Sequence, residues 1–181
     1  ETPVKQALNQ LVATGLVVSI PKCGMKVRTF NFQDMKDNWE ARLMVEQFCA
    51  VPAVERVRHD EDFVKHIQDI LDISNHEYGK CIADFTKENF NLLTEHDRML
   101  HTELVKCSRN QQIMNMYNSL NAHSCMFAGY GCHTPKTLRQ VQDQHTEIVN
   151  QLLLCDVDGL RKALESHIYS TVQIYRSAWK E

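Results

Sequence analysis

Long apolar runs are missing from this sequence. The longest, such as Leu16–Ile20 and Leu152–Cys155, are far shorter than the roughly 20 residues that a membrane-spanning helix needs. No signal peptide opens the chain, and it contains no internal repeat or low-complexity segment. The sequence therefore predicts a cytoplasmic protein without a membrane partner.

A large excess of charge of either sign is also missing. The 181 residues carry a formal net charge of -3, and 43% of them are hydrophobic. This balance excludes a uniformly basic protein, although a basic patch on a small module could still bind nucleic acid. The length and the apolar content predict one substantial core with room for a small second module.

No CxxC pair occurs among the seven cysteines. Because they are odd in number and fall mostly within apolar helical patterns, we expect reduced core residues in a reducing compartment. The one cluster, His123, Cys125, Cys132 and His133, has a spacing that fits no common zinc module. A loop between helices explains this cluster better than a second metal site.

Residues 1–30 have the pattern of a helix followed by a β-hairpin. Thr2 suits an N-cap, Pro3 suits the first helical position and Gly15 is a stop, which predicts a helix over Thr2–Thr14. The segments LVVSIP and KVRTF then alternate like two strands around a KCGM turn. A helix followed by such a hairpin is half of a winged helix.

From Asp34 onward the apolar residues recur at helical spacing. Pro52 interrupts the first stretch, but the spacing resumes after it, which predicts a kink rather than a break. The later helices are predicted over Phe63–Tyr78 (ending near Gly79), Cys81–Phe90, Leu92–Arg109, Asn110–His123, Thr137–Cys155 and Gly159–Trp179, with a loop at Ala128–Pro135 and Asp158 as the last N-cap.

Arg42 and Glu46 stand within or beside the inner stripe of the first of these helices. One interpretation is a solvated ion pair at positions i and i+4. The other is an arginine held inside a helical bundle to receive an anion. The spacing alone leaves both interpretations open.

Two histidine patterns predict a metal site. Asp97 and His101 lie four residues apart without an intervening Gly or Pro, so on a helix both side chains point the same way. His145 and His167 each lie 11 residues from Asp156, so two helices folded back about this residue bring the rings to matching heights. One carboxylate and three imidazoles suit one Zn²⁺, Ni²⁺, Co²⁺ or Mn²⁺ per chain better than Ca²⁺ or Mg²⁺. The other six histidines show no such relation, and we assign them to the surface or to loops.

The segment TPVKQALNQLVATGLVVSIPKCGMKV closely resembles the end of the DNA-binding domain of GntR-family transcription regulators, where the recognition helix runs into the wing. It departs from the family pattern at Glu1, where a basic residue is usual, and at Cys23, which replaces a common Arg. The resemblance implies that Thr2, Lys5 and Lys22 lie near DNA, although the two lysines also fit ordinary surface charge. Because the sequence does not start with Met and begins at the recognition helix, we expect a truncated winged helix that binds DNA poorly.

From residue 34 onward the pieces EARLMVE, DRMLH, CSRNQQI and QHTEIVNQLLLCDVDGLRKALESH resemble the FCD effector-binding domain of the FadR branch of the same family. The resemblance implies a mostly α protein: an antiparallel FCD-type bundle of six or seven helices over residues 31–181, preceded by the C-terminal part of a winged helix over residues 1–30. It sets Asp97, His101, His145 and His167 in the family's ligand order. It also implies a small organic acid as effector, with Arg42 as its countercharge, and a homodimer on operator DNA.

These patterns predict a bacterial transcription regulator, not an enzyme, whose helical domain binds a metal ion and a small carboxylate that modulates operator binding. The alternative is a helical metalloenzyme in which an open-site metal activates water. Against it, Glu103 and Glu147 are near the ligands in sequence but need not face inward, and the winged-helix remnant has no role. A third possibility is a structural metal that only holds the bundle together.

Overall fold

The computed structural model describes residues 2–13, 15–29, 31–120 and 129–178. Within them a helix and a two-stranded hairpin precede six further α-helices. The elements are α1 (Thr2–Ala13), β1 (Val17–Ile20), β2 (Gly24–Val27), α2 (Phe32–His59), α3 (Glu61–Ala83), α4 (Lys87–Lys106), α5 (Gln111–Ser119), α6 (Pro135–Leu153) and α7 (Val157–Ala178). This order confirms the predicted mostly α fold.

The hairpin pairs β1 with β2 in antiparallel register, with Val17 opposite Val27 and Ile20 opposite Gly24. The chain reverses between Ile20 and Cys23, where the Cys23 amide N donates to the Ile20 carbonyl O at 3.0 Å. Lys22, the third residue of this turn, has a φ of 63°, as a type II turn with Pro at its second position requires. Strand β2 begins at Gly24, two residues before the predicted Lys26.

Helix α2 begins at Phe32, two residues before the predicted start, because of a capping box. The Asp34 amide N donates to Asn31 Oδ1 at 2.8 Å, and the Asn31 amide N donates to Asp34 Oδ2 at 3.1 Å. Arg28 Nη2 lies 2.7 Å from Asp34 Oδ1 and ties the segment after β2 to the start of α2. The helix then continues through Pro52 without a break, as predicted.

Two predicted boundaries in the middle of the chain are wrong. Helix α3 continues past Gly79 to Ala83, so residues 81–83 belong to α3 and the predicted helix over Cys81–Phe90 does not exist. Tyr78 and Cys81 are both buried in the core, and their packing outweighs the cost of about 1 kcal/mol for a helical glycine. Helix α4 starts at Lys87 because Thr86 Oγ1 caps it, accepting from the Asn89 amide N at 3.2 Å.

The turn between α6 and α7 also differs from the prediction. Asp156 is the N-cap of α7, because its Oδ1 accepts from the Gly159 amide N at 2.9 Å. The predicted cap, Asp158, lies in the first turn of the helix and is exposed. The predicted Asn110–His123 helix is shorter, since α5 ends at Ser119, and residues 121–128 lie outside the described part of the chain.

Helix α2 occupies the middle of the bundle, where it packs against α4, α6 and α7. Helix α3 packs against α4 and α6, and α6 packs against α7. The core between them contains Trp39, whose ring meets that of Tyr175 edge to face at a centroid distance of 4.5 Å. This packing turns the inner faces of α4, α6 and α7 toward α2. None of the helices in the described residues has the length and apolarity that a transmembrane span requires.

The cysteines agree only in part with the prediction of reduced core residues. All six in the described residues are free: Cys49, Cys81 and Cys107 are buried, Cys132 and Cys155 are half-buried, and Cys23 is exposed on the hairpin turn. Two members of the weighed second cluster, His123 and Cys125, lie outside the described residues.

Candidate metal centre

Four buried side chains from three helices meet at one point. Asp97 and His101 come from α4, His145 from α6 and His167 from α7. One possible ligand atom of each lies within 4.8 Å of the corresponding atoms of the others, and no side chain of the four is more than 2% exposed. We call these four residues the metal cluster.

The distances within the metal cluster are short. His145 Nε2 lies 2.9 Å from Asp97 Oδ1 and 3.3 Å from His101 Nε2. The ring centroids of His145 and His167 are 4.6 Å apart, and His101 stacks on His167 at 5.0 Å. Ligand atoms about 2.1 Å from a common ion lie roughly 3–4 Å from one another. The distances of 2.9 and 3.3 Å fall close to this range, so the groups are near enough to share one ion.

The charges within the metal cluster also suit a transition metal. Burial alone would raise the pKa of Asp97, but Arg42 and the neighbouring histidines hold it well below its usual range, so the carboxylate is ionised. Burial and Arg42 lower the pKa of His101, and burial with the two other rings lowers that of His167. These two histidines are therefore neutral, which leaves a nitrogen lone pair on each ring.

Several acceptor atoms of the metal cluster have no protein partner of acceptable geometry. In the described part of the chain this holds for both carboxylate oxygens of Asp97 and for Nδ1 of His167, all of them buried. A buried polar atom without a partner costs about 1–3 kcal/mol. A cation between these groups would remove that cost, and the mixed nitrogen and carboxylate set fits Zn²⁺, Ni²⁺, Co²⁺ or Mn²⁺.

Arg42 and Glu46 are fully inside the bundle, so the interpretation of a solvated pair is wrong. Arg42 is 1% exposed and Glu46 is 0% exposed. Arg42 Nε donates to Glu46 Oε1 at 2.6 Å, and Arg42 Nη2 lies 3.7 Å from Asp97 Oδ2. The guanidinium therefore lies between a carboxylate of its own helix and the metal cluster.

Three residues that the sequence patterns did not single out as neighbours of the ligands also contact them or their partners. Glu46 Oε2 lies 2.9 Å from His101 Nδ1, and the Tyr117 hydroxyl donates to Glu46 Oε1 at 2.8 Å. The Tyr78 hydroxyl lies 3.4 Å from His145 Nδ1. Tyr78 and Tyr117 sit in helical apolar stripes, and no sequence signal separates such tyrosines from ordinary core residues.

A narrow cavity of about 20 Å³, the room of about one water molecule, lies beside the metal cluster. It is lined by Arg42, Asp97 and His167 together with Tyr78, Phe90, Leu93, Thr94, His133, Leu138, Val141 and Thr171. His133 lies in the loop just before α6, in agreement with the prediction of a surface or loop residue, but it is only 9% exposed. Its ring packs against Phe90 and Tyr175.

The remaining predicted residues lie at the surface. Thr2 and Lys5 are exposed on α1, and Lys22 is exposed on the hairpin turn. Among the other histidines, His59, His66 and His76 are exposed, and His96 is half-buried. Glu147 is exposed with its Oε1 2.6 Å from Gln151 Nε2, and Glu103 pairs with Lys106 at 2.6 Å.

Comparison with known proteins gives matches in fold and in family. No curated protein sequence matches the chain. The structure is similar to McbR/YncC from E. coli, with a TM-score of 0.82 at 18% identity over 98% of this chain and 85% of that one. It is also similar to a putative transcriptional regulator GntR from Rhodococcus sp. RHA1, with a TM-score of 0.75 at 16% identity over 99% and 81% of the two chains.

A third similar structure is Lar, which controls the expression of the Listeria monocytogenes agr system. Its TM-score is 0.70 at 14% identity, over 96% of this chain and 79% of that one. At these identities the matches establish a shared fold. The family model of the FCD domain matches residues 37–170, which include all four members of the metal cluster and Arg42. The chain therefore belongs to the FCD-domain family.

Proposed function

We propose that the chain is a cytoplasmic GntR-type transcription regulator whose helical domain, residues 31–181, binds one divalent transition metal and a small carboxylate effector. Residues 1–30 form the recognition helix and wing of its DNA-binding domain. The observation that carries the proposal is the convergence of Asp97, His101, His145 and His167 within 4.8 Å beside a cavity. Family membership and the regulators of the same fold support it.

The side chains themselves explain why an acid would bind only with the metal. Asp97, His101, His145 and His167 would hold the ion, which when bound supplies a Lewis-acidic position for a carboxylate oxygen. Arg42, Glu46 and Asp97 together carry one positive and two negative charges, so the metal-free site repels an anion. A divalent ion reverses the sign of this sum, and Arg42 then adds attraction from the cavity wall.

Because the cavity has the room of about one water molecule, the effector must be small and its binding must move some of the lining side chains. Phe90, Leu93, Leu138 and Val141 are the apolar residues of this lining. Binding there would favour one arrangement of the helical domains and hence of the paired winged helices in a homodimer. A typical coupling of ~1–3 kcal/mol corresponds to about 5–150-fold in operator affinity.

Elemental analysis tests the metal. We expect about one transition metal per chain in the purified protein, and its loss from the His145→Ala/His167→Ala double variant, because two of four ligands are removed. His59→Ala, at an exposed histidine, is the matched control and should keep the metal. Stoichiometric metal in the double variant would contradict the assigned ligands.

Thermal shifts test the effector. Acetate, lactate and malonate should raise the melting temperature of the metal-loaded protein and leave the EDTA-treated protein unchanged. Arg42→Lys is the suitable variant, because Arg42→Ala would strand two buried carboxylates at a cost of about 3–5 kcal/mol. We expect the acids to raise the melting temperature less in Arg42→Lys than in the wild type. An equal rise would show that Arg42 does not contribute to acid binding.

DNA binding by the intact gene product separates regulation from catalysis. Fluorescence anisotropy with the DNA upstream of its own gene should give an affinity that changes with the acid that passes the thermal test. Metal-dependent turnover without any DNA binding would favour the helical metalloenzyme instead.

A further inference from the structure

Glu46 has a role that its pairing with Arg42 does not explain. Its carboxylate contacts three helices: its Oε1 accepts from Arg42 Nε on α2 at 2.6 Å and from the Tyr117 hydroxyl on α5 at 2.8 Å. Its Oε2 lies 2.9 Å from His101 Nδ1 on α4. The side chain is fully buried, so these protein groups take the place of water around the carboxylate.

The charge on Glu46 determines the protonation of the ring it faces. Glu46 Oε1 accepts from the Arg42 Nε–H, which can only donate, and from the Tyr117 hydroxyl, so the side chain is held as a carboxylate in a buried ion pair. An ionised carboxylate only accepts hydrogen bonds, so His101 Nδ1 must carry the proton. Neutral His101 then has its lone pair on Nε2, the atom that lies 3.3 Å from His145 Nε2 in the metal cluster.

The other two rings are held differently. His145 Nε2 lies 2.9 Å from Asp97 Oδ1, a carboxylate that is itself a proposed ligand of the metal. His145 Nδ1 faces the Tyr78 hydroxyl at 3.4 Å, and a hydroxyl can donate or accept. His167 Nδ1 has no hydrogen-bond partner in the described residues. In this part of the chain, therefore, His101 is the ligand whose tautomer is fixed by a carboxylate outside the metal cluster.

We propose that Glu46 is a positioning residue of the metal centre, which holds His101 in the Nδ1–H tautomer and so presents the Nε2 lone pair to the metal. The inference rests on the metal site of the proposed function. Removing a residue that hydrogen-bonds to a metal-ligating histidine typically lowers metal affinity by about 10–100-fold.

Glu46→Gln tests this role directly, because a glutamine amide cannot reproduce all three hydrogen bonds of the Glu46 carboxylate. If the amide oxygen accepts from Arg42 and Tyr117, its NH₂ faces His101 Nδ1, which must then become an acceptor. The proton moves to Nε2, and the lone pair that would bind the metal is lost. The opposite orientation points the NH₂ at the Arg42 Nε–H, donor against donor.

The experiment is long-range ¹H–¹⁵N NMR of the histidine rings in the metal-free protein, with His101 assigned from the His101→Gln spectrum. We expect the Nδ1–H tautomer in the wild type and the Nε2–H tautomer in Glu46→Gln. Zn²⁺ affinity, measured by competition with a fluorescent chelator, should fall about 10–100-fold in Glu46→Gln. Tyr117→Phe is the matched control, since it removes one contact to Oε1 and leaves Oε2 on His101; it should keep the wild-type tautomer.

The possible outcomes test the positioning role of Glu46 and the proposed metal site separately. An Nε2–H form of His101 in the wild type, or an unchanged tautomer and Zn²⁺ affinity in Glu46→Gln, overturns the role of Glu46. If Glu46→Gln does not fold, the wild-type tautomer alone decides. If the wild type binds no Zn²⁺, the metal part of the proposed function fails, and with it the positioning role, even where the tautomer is the expected one.

Discussion

His133 is a buried titratable residue outside the metal cluster. Its ring lies against Phe90 and Tyr175 at centroid distances of 5.2 and 5.5 Å, and its Nδ1 has no hydrogen-bond partner in the described residues. Burial lowers its pKa to about 4, with Asp97 opposing that shift. The folded protein therefore favours the neutral ring, whereas the unfolded chain takes up a proton near pH 6.5.

This difference predicts acid sensitivity. The stability that neutral His133 contributes is fully present above pH 6.5 and is lost as the pH falls from 6.5 toward 4, at most about 2 kcal/mol by pH 5. Urea unfolding of the metal-free protein at pH 7 and pH 5 measures it. The free energy of unfolding should fall by up to that amount more in the wild type than in His133→Leu, with His59→Leu behaving like the wild type. Parallel losses in the wild type and His133→Leu would contradict the shifted pKa.

At the scale of the elements, α3 gives the clearest test of a helix boundary. Gly79 lies inside this helix and is exposed, and a Cβ added there meets no atom within 4 Å. Gly79→Ala should therefore raise the free energy of unfolding by about 0.5–1 kcal/mol, because alanine loses less conformational entropy in a helix. Chemical denaturation checks this value. A destabilised variant would mean that the helix ends at Gly79 after all.

The elements also show which parts of the fold and of the site could be predicted from the sequence. The spacing predicted that Asp97 and His101 share one helix face and that His145 and His167 lie at matching heights, because regular helices and a short turn transmit sequence spacing directly into space. The family resemblance joined these two pairs into one site. Asp156 and Asp158 could not be separated as caps from the sequence, since both stand close to the start of the same helix. The burial of Glu46 and of His133 depends on which helices pack above them, and no local pattern reports that.

At the scale of the whole molecule, the metal cluster lies where the main packing contacts of the bundle meet. Its residues come from α4, α6 and α7, and Glu46 and Arg42 of α2 contact two of them. The unfolded chain scatters these ligands over 71 positions, from Asp97 to His167. Binding of the proposed metal would therefore be linked to the folding of the whole bundle rather than to one helix.

The linkage between metal binding and folding gives the expected gain in the free energy of unfolding. A ligand that binds only the folded protein stabilises it by about 2.7 kcal/mol when its free concentration is 100 times Kd. Thermal unfolding in buffered Zn²⁺ at that ratio, against EDTA, should therefore show a clear rise in Tm for the wild type and none for His145→Ala/His167→Ala. Gly79→Ala leaves the ligands untouched. Its Tm in Zn²⁺ should therefore exceed its Tm in EDTA by as much as in the wild type. Since an ion held at the surface would stabilise all three proteins alike, an equal rise in the double variant would place the metal elsewhere on the molecule.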